Sequence, residues 1–190
     1  MHKGRLEAFS DGVIAVIITI MVLELRAPHD GSLAALRPLI STFVCYLLSF
    51  VFVGIYWNNH HHLLQAAQKV NGAILWANMH LLFWLSLIPL VTAWMGENRF
   101  APVPVAIYGV VLLFAGTAYY ILARLLVKHH GEDSALARAL GADFKGKISV
   151  AVYALAIPLA LWQPWVALGL YVLIAIIWLV PDRRIETVIS

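Results

Sequence analysis

Phe9 to Leu25 reads FSDGVIAVIITIMVLEL, an apolar run interrupted by Ser10, Asp11 and Gly12 near its start, by Thr19 within it and by Glu24 at its end. It is about as long as one crossing of a bilayer needs. Glu24, Leu25 and Arg26 follow it where a cleaved leader would carry small residues, so the segment is expected to stay in the mature protein. The rest of the chain has the same character. Of its 190 residues 62% are hydrophobic and 12% charged, and the mean hydropathy is +0.85. A soluble domain carries about a quarter charged residues. No soluble core could hide this much apolar surface, so lipid must solvate much of it. Seven Trp and seven Tyr suit aromatic belts at the headgroups.

Six apolar runs can be marked by length and breakers: about 9–25, 33–57, 73–95, 104–127, 148–162 and 165–180. The fold class is an all-α membrane protein of six spans in a single domain over 1–190. The last two runs are short for spanning and are separated by Gln163 and Pro164. They read as a tight helical hairpin, with a re-entrant pair as the alternative. With both termini in the cytoplasm, Lys3, Arg5, Lys69, Arg124, Lys128, Arg138, Lys145, Lys147, Arg183 and Arg184 lie inside, and Arg26, Arg37 and Arg99 outside. That bias follows the positive-inside rule, and removing any one span scrambles it. Residues 128–147 form a polar cytoplasmic loop, with a short amphipathic helix expected around Ser134–Leu140. Pro89 and Pro158 are expected to kink their helices, and Pro181 to stop the last one.

Ionisable and amide groups in hydrocarbon are costly, so those near the spans carry information. Ser10 and Asp11 read either as a helix start, where a carboxylate suits the positive dipole end, or, with Arg5, as groups fixing neighbouring helices. Asn58, Asn59, His60, His61 and His62 follow Trp57. Consecutive helical positions lie about 100° apart, so three adjacent His cannot converge on one metal ion. A buried network linking Asp11, Asn58 or Asn59 and a His is physically sensible, and Asn78 and His80 start the third span at the same level. The single Cys45 excludes an internal disulfide framework and a cysteine metal cage. No basic stripe or aromatic-basic weave suggests nucleic acid. Val13, Val16, Ile20 and Leu23 share one face of the first span, bordered by Thr19. Packing or lipid contact alone also produces such a stripe.

Arg5-x-x-x-Phe9-Ser10-Asp11 at the start of the first of six spans resembles the signature of the transmembrane protein 175 family. The likeness runs on through Gly12, Thr19 and Leu23 to Glu24, and includes Trp57 with the His group and Leu87-x-Pro89. It implies a potassium-permeable channel without a carbonyl filter loop, its pore lined by the first helix and narrowed by rings of aliphatic side chains. Counted from the motif, the innermost ring falls on Val16, the next two turns on Ile20 and Leu23, and the pore-side threonine on Thr19. Val16 is smaller than the Ile or Leu usual at that layer. Arg5, Phe9, Ser10, Asp11, Trp57, Asn58 and His61 fall in the structural motif network, and Glu24 at the outer mouth would concentrate cations. One helix cannot enclose a pore, and animal relatives carry two repeats per chain, so a homotetramer is implied.

Three function classes follow. The first is a potassium-selective or potassium-preferring channel of the bacterial cytoplasmic membrane, with a hydrophobic gate. The second is a proton- or ion-coupled secondary transporter that titrates Asp11. It lacks the inverted repeats and broken mid-membrane helices common in carriers. The third, a membrane enzyme built on the His cluster, lacks a partner nucleophile or workable ligand set. No enzyme activity, cofactor or resident metal is expected, only K+ in transit. The expected partners are lipid and further copies of the chain.

Overall fold

The computed structural model describes residues 3–28, 30–131, 134, 137 and 144–179, with no strand among them. Its helices are α1 (Gly4–Leu23), α2 (Ile40–Ala66), α3 (Gly72–Ser86), α4 (Ile88–Glu97), α5 (Pro102–His130), α6 (Phe144–Ala160) and α7 (Pro164–Leu179). A 3₁₀ segment, Leu33–Leu39, leads into α2. In an apolar solvent every backbone N–H and C=O must be paired within the chain, which selects helices for such runs. Four stretches are long and apolar enough to cross a membrane: Gly4–Leu23, Leu33–Ala66, Gly72–Glu97 and Pro102–His130. At 17 and 16 residues, α6 and α7 are shorter, each about 25 Å at 1.5 Å rise per residue. They pack together as a hairpin across Leu161–Gln163.

Prolines and positive-φ residues mark the breaks. Pro89 has no N–H to give, and the helix parts at Leu87, so α3 and α4 are one rod with a joint. Pro102 and Pro164 sit at helix starts, where that missing donor costs nothing. Gly131 ends α5 with φ 94°, its N–H reaching Val127 O at 2.9 Å. Arg99 and Phe100 also have positive φ (49° and 61°), which the turn into α5 holds by hydrogen bonds to Gly96 O and Met95 O. Phe100 packs its ring on Trp165, centroids 5.0 Å apart, and so ties this turn to α7.

Two helices outrun the hydropathy limits. α2 continues past Trp57 to Ala66, carrying the whole His group in helical register, and α5 runs on to His130. The connection after α5 is therefore shorter than 128–147. Most of the amphipathic helix expected at Ser134–Leu140, like Pro181, Arg183 and Arg184, lies outside the described residues.

α5 is the hub, packed against α3, α4, α6 and α7, while α1 lies across α2, α3 and α4. Close approach depends on small residues. Ala115 and Ala118 of α5 and Ala156 and Ala160 of α6 are fully buried. A Cβ at Gly109 would run into the Tyr171 hydroxyl, which donates to Val105 O at 3.2 Å. A Cβ at Gly96 would come within 2.7 Å of the Thr42 backbone. The perimeter carries exposed Trp76, Leu90, Leu155 and Trp162, as a bundle solvated by lipid should.

Candidate functional site

The first helix has two faces. Leu6, Ser10, Ile14, Ile17 and Met21, at helical spacing, are buried against α2–α4. On the other side Val16 is 56%, Ile20 43% and Leu23 72% exposed, with Val13 half-buried at the border. At 100° per residue Val16, Ile20 and Leu23 fall within about 60° of one another. Thr19 lies beside them, its hydroxyl donating to Ala15 O at 2.9 Å within its own helix. Most of the aliphatic stripe read from the sequence thus faces out of the bundle, with Val13 packed at its edge and Ile20 beside the Pro89–Trp94 segment of α4.

The N-terminal end of α1 is held by polar contacts instead. Ser10 Oγ donates to Leu6 O at 2.8 Å, and Asn78 Nδ2 of α3 donates to Ser10 Oγ at 2.9 Å. Asn78 Oδ1 stands 2.7 Å from His60 Nε2 of α2. A carbonyl oxygen can only accept, so His60 carries its proton on Nε2. Ser10, Asn78 and His60 are all buried, and the chain of bonds joins three helices. Around it, Trp57 Nε1 donates to Asp11 Oδ1 at 2.9 Å and His61 stacks on Trp57 with centroids 5.7 Å apart. Lys3 Nζ donates to Leu64 O and Gln65 O, both at 2.9 Å. An ammonium there meets last-turn carbonyls at the negative dipole end of α2.

Several expectations change. α1 starts at Gly4, so Ser10 and Asp11 lie well inside it and cap nothing. The buried network runs through Ser10, Asn78 and His60, not through Asp11 with Asn58 or Asn59. On α2, His60 lies seven residues after buried Val53 and four before buried Leu64. Asn58 and His61 are turned well away from that line. Asn58 is exposed, and Asn59 donates to Ile55 O of its own helix. His80 accepts from Trp84 Nε1 away from the network. Arg5 and Phe9 are exposed. The sequence reading placed Lys3 only among the inner basic residues, and of the His group it put His61, not His60, in the network. Val53, His60 and Leu64 share a buried face of α2 that the sequence alone does not mark.

Glu24 follows the C-terminal turn of α1, exposed, where the helix dipole disfavours a carboxylate. It lines a shallow cleft with Ile20, Pro89, Trp94 and Glu97. The sequence reading had not singled out Glu97. In the connection after Glu24, the Ser32 hydroxyl and backbone N–H hold the Asp30 carboxyl below its usual range. A second buried cluster ties the far halves of the helices: Ser49 Oγ lies 2.6 Å from Thr92 Oγ1 and 3.0 Å from the Tyr108 hydroxyl. Among the described residues no three His, Cys, Asp or Glu are grouped to hold a metal ion.

A bundle of apolar helices, its first helix anchored by polar groups at one end and exposed along an aliphatic face, defines an all-α integral membrane protein. Residues 5–89 match the family described as endosomal/lysosomal potassium channel TMEM175. Over 186 residues, 98% of this chain and 97% of the relative, the chain is 55% identical to a potassium channel of Chryseobacterium sp. (strain P1-3). It is 32% identical over 129 residues to a potassium channel of Streptomyces collinus, covering 64% and 63% of the two chains. The crystal structure of a lysosomal potassium-selective channel TMEM175 homolog from Chamaesiphon minutus superposes with a TM-score of 0.79 at 28% identity, covering 93% of this chain and 96% of that one. The chain belongs to the TMEM175 family.

Proposed function

We propose that four copies of this chain form a potassium-preferring channel in the bacterial cytoplasmic membrane, with α1 of each copy lining a central pore. Each copy crosses six times as a single domain over 1–190, with both termini in the cytoplasm. The observation that carries the reading is the exposed aliphatic face of α1, Val16, Ile20 and Leu23, in a chain matched end to end by a relative named a potassium channel. Fourfold symmetry would turn each of these residues into a ring. Branched aliphatic rings exclude water when narrow, and an ion must shed hydration to pass. Potassium holds its water less tightly than sodium, so such a constriction prefers it. Thr19 borders the rings and gives them one polar edge. Glu24, with Glu97 in the same cleft, raises the cation concentration at the outer mouth.

The anchored end explains how the rings could stay in register. Ser10, Asn78 and His60 fix the rotation of α1 about its axis, and Asp11 on Trp57 and Lys3 on the end of α2 fix its position. Ion flux from liposomes loaded with potassium or with sodium tests the function. Purified protein should pass potassium faster, in proportion to the gradient. A saturable, proton-coupled flux, or equal flux without protein, would overturn the channel reading.

A further inference from the structure

Between α2, α5, α6 and α7 the bundle encloses a cavity of about 350 Å³, inside the range of roughly 300–1,000 Å³ typical of small-molecule sites. Its walls are apolar and aromatic: Phe52, Ile55, Gly116, Val150, Tyr153 and Trp178. Trp178 is fixed as a wall because its Nε1 donates to Ser149 Oγ at 2.8 Å. Tyr153 is 3% exposed. Its ring packs on Tyr171, yet its hydroxyl makes no hydrogen bond to any described residue. A second lining phenol, Tyr56, reaches Leu112 O only at 3.5 Å, the outer limit of a hydrogen bond. The Tyr153 oxygen is not sealed inside the protein; it is a donor open to whatever occupies the cavity it lines.

The rim is basic. Lys147 lines it, exposed and without an ion pair among the described residues. Arg124 lies over the ring of Tyr120, another lining residue, 5.5 Å from its centroid. Tyr153 stands six residues further along α6 than Lys147, roughly 9 Å deeper at the helical rise. The site therefore has cations at its mouth, the Tyr153 phenol donor below them and an aromatic apolar floor. That order matches one molecule class: an anionic glycerophospholipid, with phosphate outside, ester carbonyl next and acyl chain inside.

We propose that this cavity holds one acyl chain of an anionic phospholipid, its phosphate between Lys147 and Arg124 and its ester carbonyl accepting from the Tyr153 hydroxyl. On the topology proposed above, which this inference uses, the lipid comes from the cytoplasmic leaflet. The basic rim lies on that side, where anionic headgroups attract juxtamembrane cations. The site is remote from the exposed face of α1. Its occupancy would brace α5, α6 and α7 against α2, whose Tyr56 and Phe52 belong to the same wall.

Thermal unfolding of the full-length detergent-solubilised assembly, titrated with phosphatidylglycerol or phosphatidylcholine, tests the proposal, and it does so whether or not the protein conducts. Phosphatidylglycerol should raise the midpoint saturably, several-fold more effectively than phosphatidylcholine. Lys147→Gln with Arg124→Gln should abolish that preference, and Tyr153→Phe should weaken the response several-fold. Gly116→Leu should fill the cavity and remove the response. A Cβ at Gly116 meets only the Tyr56 hydroxyl, at an ordinary 3.6 Å. If Gly116→Leu does not assemble, the double rim variant decides alone, because both of its positions are exposed. Equal stabilisation by the two lipids, or a phosphatidylglycerol response unchanged in the rim variant, would overturn the site.

Discussion

The two halves of the first helix are built on opposite principles. From Lys3 to Asp11 the helix is held by directional bonds: Lys3 on two carbonyls of α2, Ser10 under Asn78, and Asp11 on the Trp57 indole. From Gly12 to Leu23 no described side-chain hydrogen bond leaves the helix, and Ile14, Ile17 and Met21 are buried, with Val13 and Ile18 packed at the edge. Apolar packing in lipid has little hydrophobic drive and no intrinsic direction. A hydrogen-bonded network has both a preferred geometry and a penalty for leaving it. The comparison teaches that one end of α1 can set the rotation of the whole rod, which leaves the side chains of the other end free of that task.

The sharpest way to break this contrast is Asn78→Leu. The change strips Ser10 of its donor and His60 of its acceptor, both fully desolvated. Each unpaired buried group costs about 1–3 kcal/mol, so the sum is a large part of a domain's stability. Loss of folded assembly on size-exclusion chromatography and a much lower melting temperature are expected. Ser10→Ala leaves the His60–Asn78 bond in place and strands only the Asn78 amide, so it should cost about 1–3 kcal/mol, less than Asn78→Leu. A melting temperature for Asn78→Leu equal to that of the parent would mean the network does not hold α1.

Ile20→Asn and Leu23→Asn probe the other half. Both side chains are exposed in the protomer, so folding and assembly should be little changed. A wetted ring should instead raise cation flux several-fold or blur potassium over sodium. Measured in liposomes, unchanged flux in both variants would remove this face from the pore.

How much of this contrast could be read from the chain alone differs with the property. Apolar length is a sum over residues, so the helical rods and the joint before Pro89 were legible. Helix ends were not, because hydropathy reports the span and a helix continues in polar residues beyond it, as α2 does through Asn58–Ala66 and α5 through Lys128–His130. The face of a helix was hardest. α2 is apolar nearly all round, as lipid permits, so no amphipathic pattern singles out His60 over His61. Ser10 and Asp11 stood out because charges and hydroxyls are rare there, but their partners lie 46 and 68 residues away. The cavity is assembled from four helices, and no local pattern could announce it.

A smaller effect is expected at the edge of the anchored half. Asp11→Asn keeps an acceptor for the Trp57 N–H and removes only the charge. The contact is an exposed hydrogen bond to a neutral indole, worth about 1 kcal/mol net, so a slight loss in melting temperature or yield of the assembly is expected, with ion preference kept. Arg5→Ala should act in the same direction. Normal assembly with potassium preference abolished in either variant would move these residues from anchor to selectivity.

The least effect, and the finest test of how far polar anchoring extends at this end of the bundle, is expected at His130. Its Nε2 lies 3.0 Å and 3.3 Å from the backbone nitrogens of Gln68 and Lys69, and its Nδ1 2.9 Å from Leu126 O. Two amide N–H groups pointing at Nε2 require a lone pair there, so the proton sits on Nδ1. Asn71 and His129 Nδ1, 3.3 Å apart, add a second tie between the same segments. His130→Phe removes the acceptor that both amides share and should loosen the α2–α3 connection while leaving the buried Ser10–Asn78–His60 chain intact. Amide hydrogen exchange at Gln68 and Lys69, corrected for intrinsic rate, should be several-fold faster in His130→Phe than in the parent. Exchange that stays slow in His130→Phe would show that the connection is held by α2 and α3 alone, and would confine polar anchoring to the first helix.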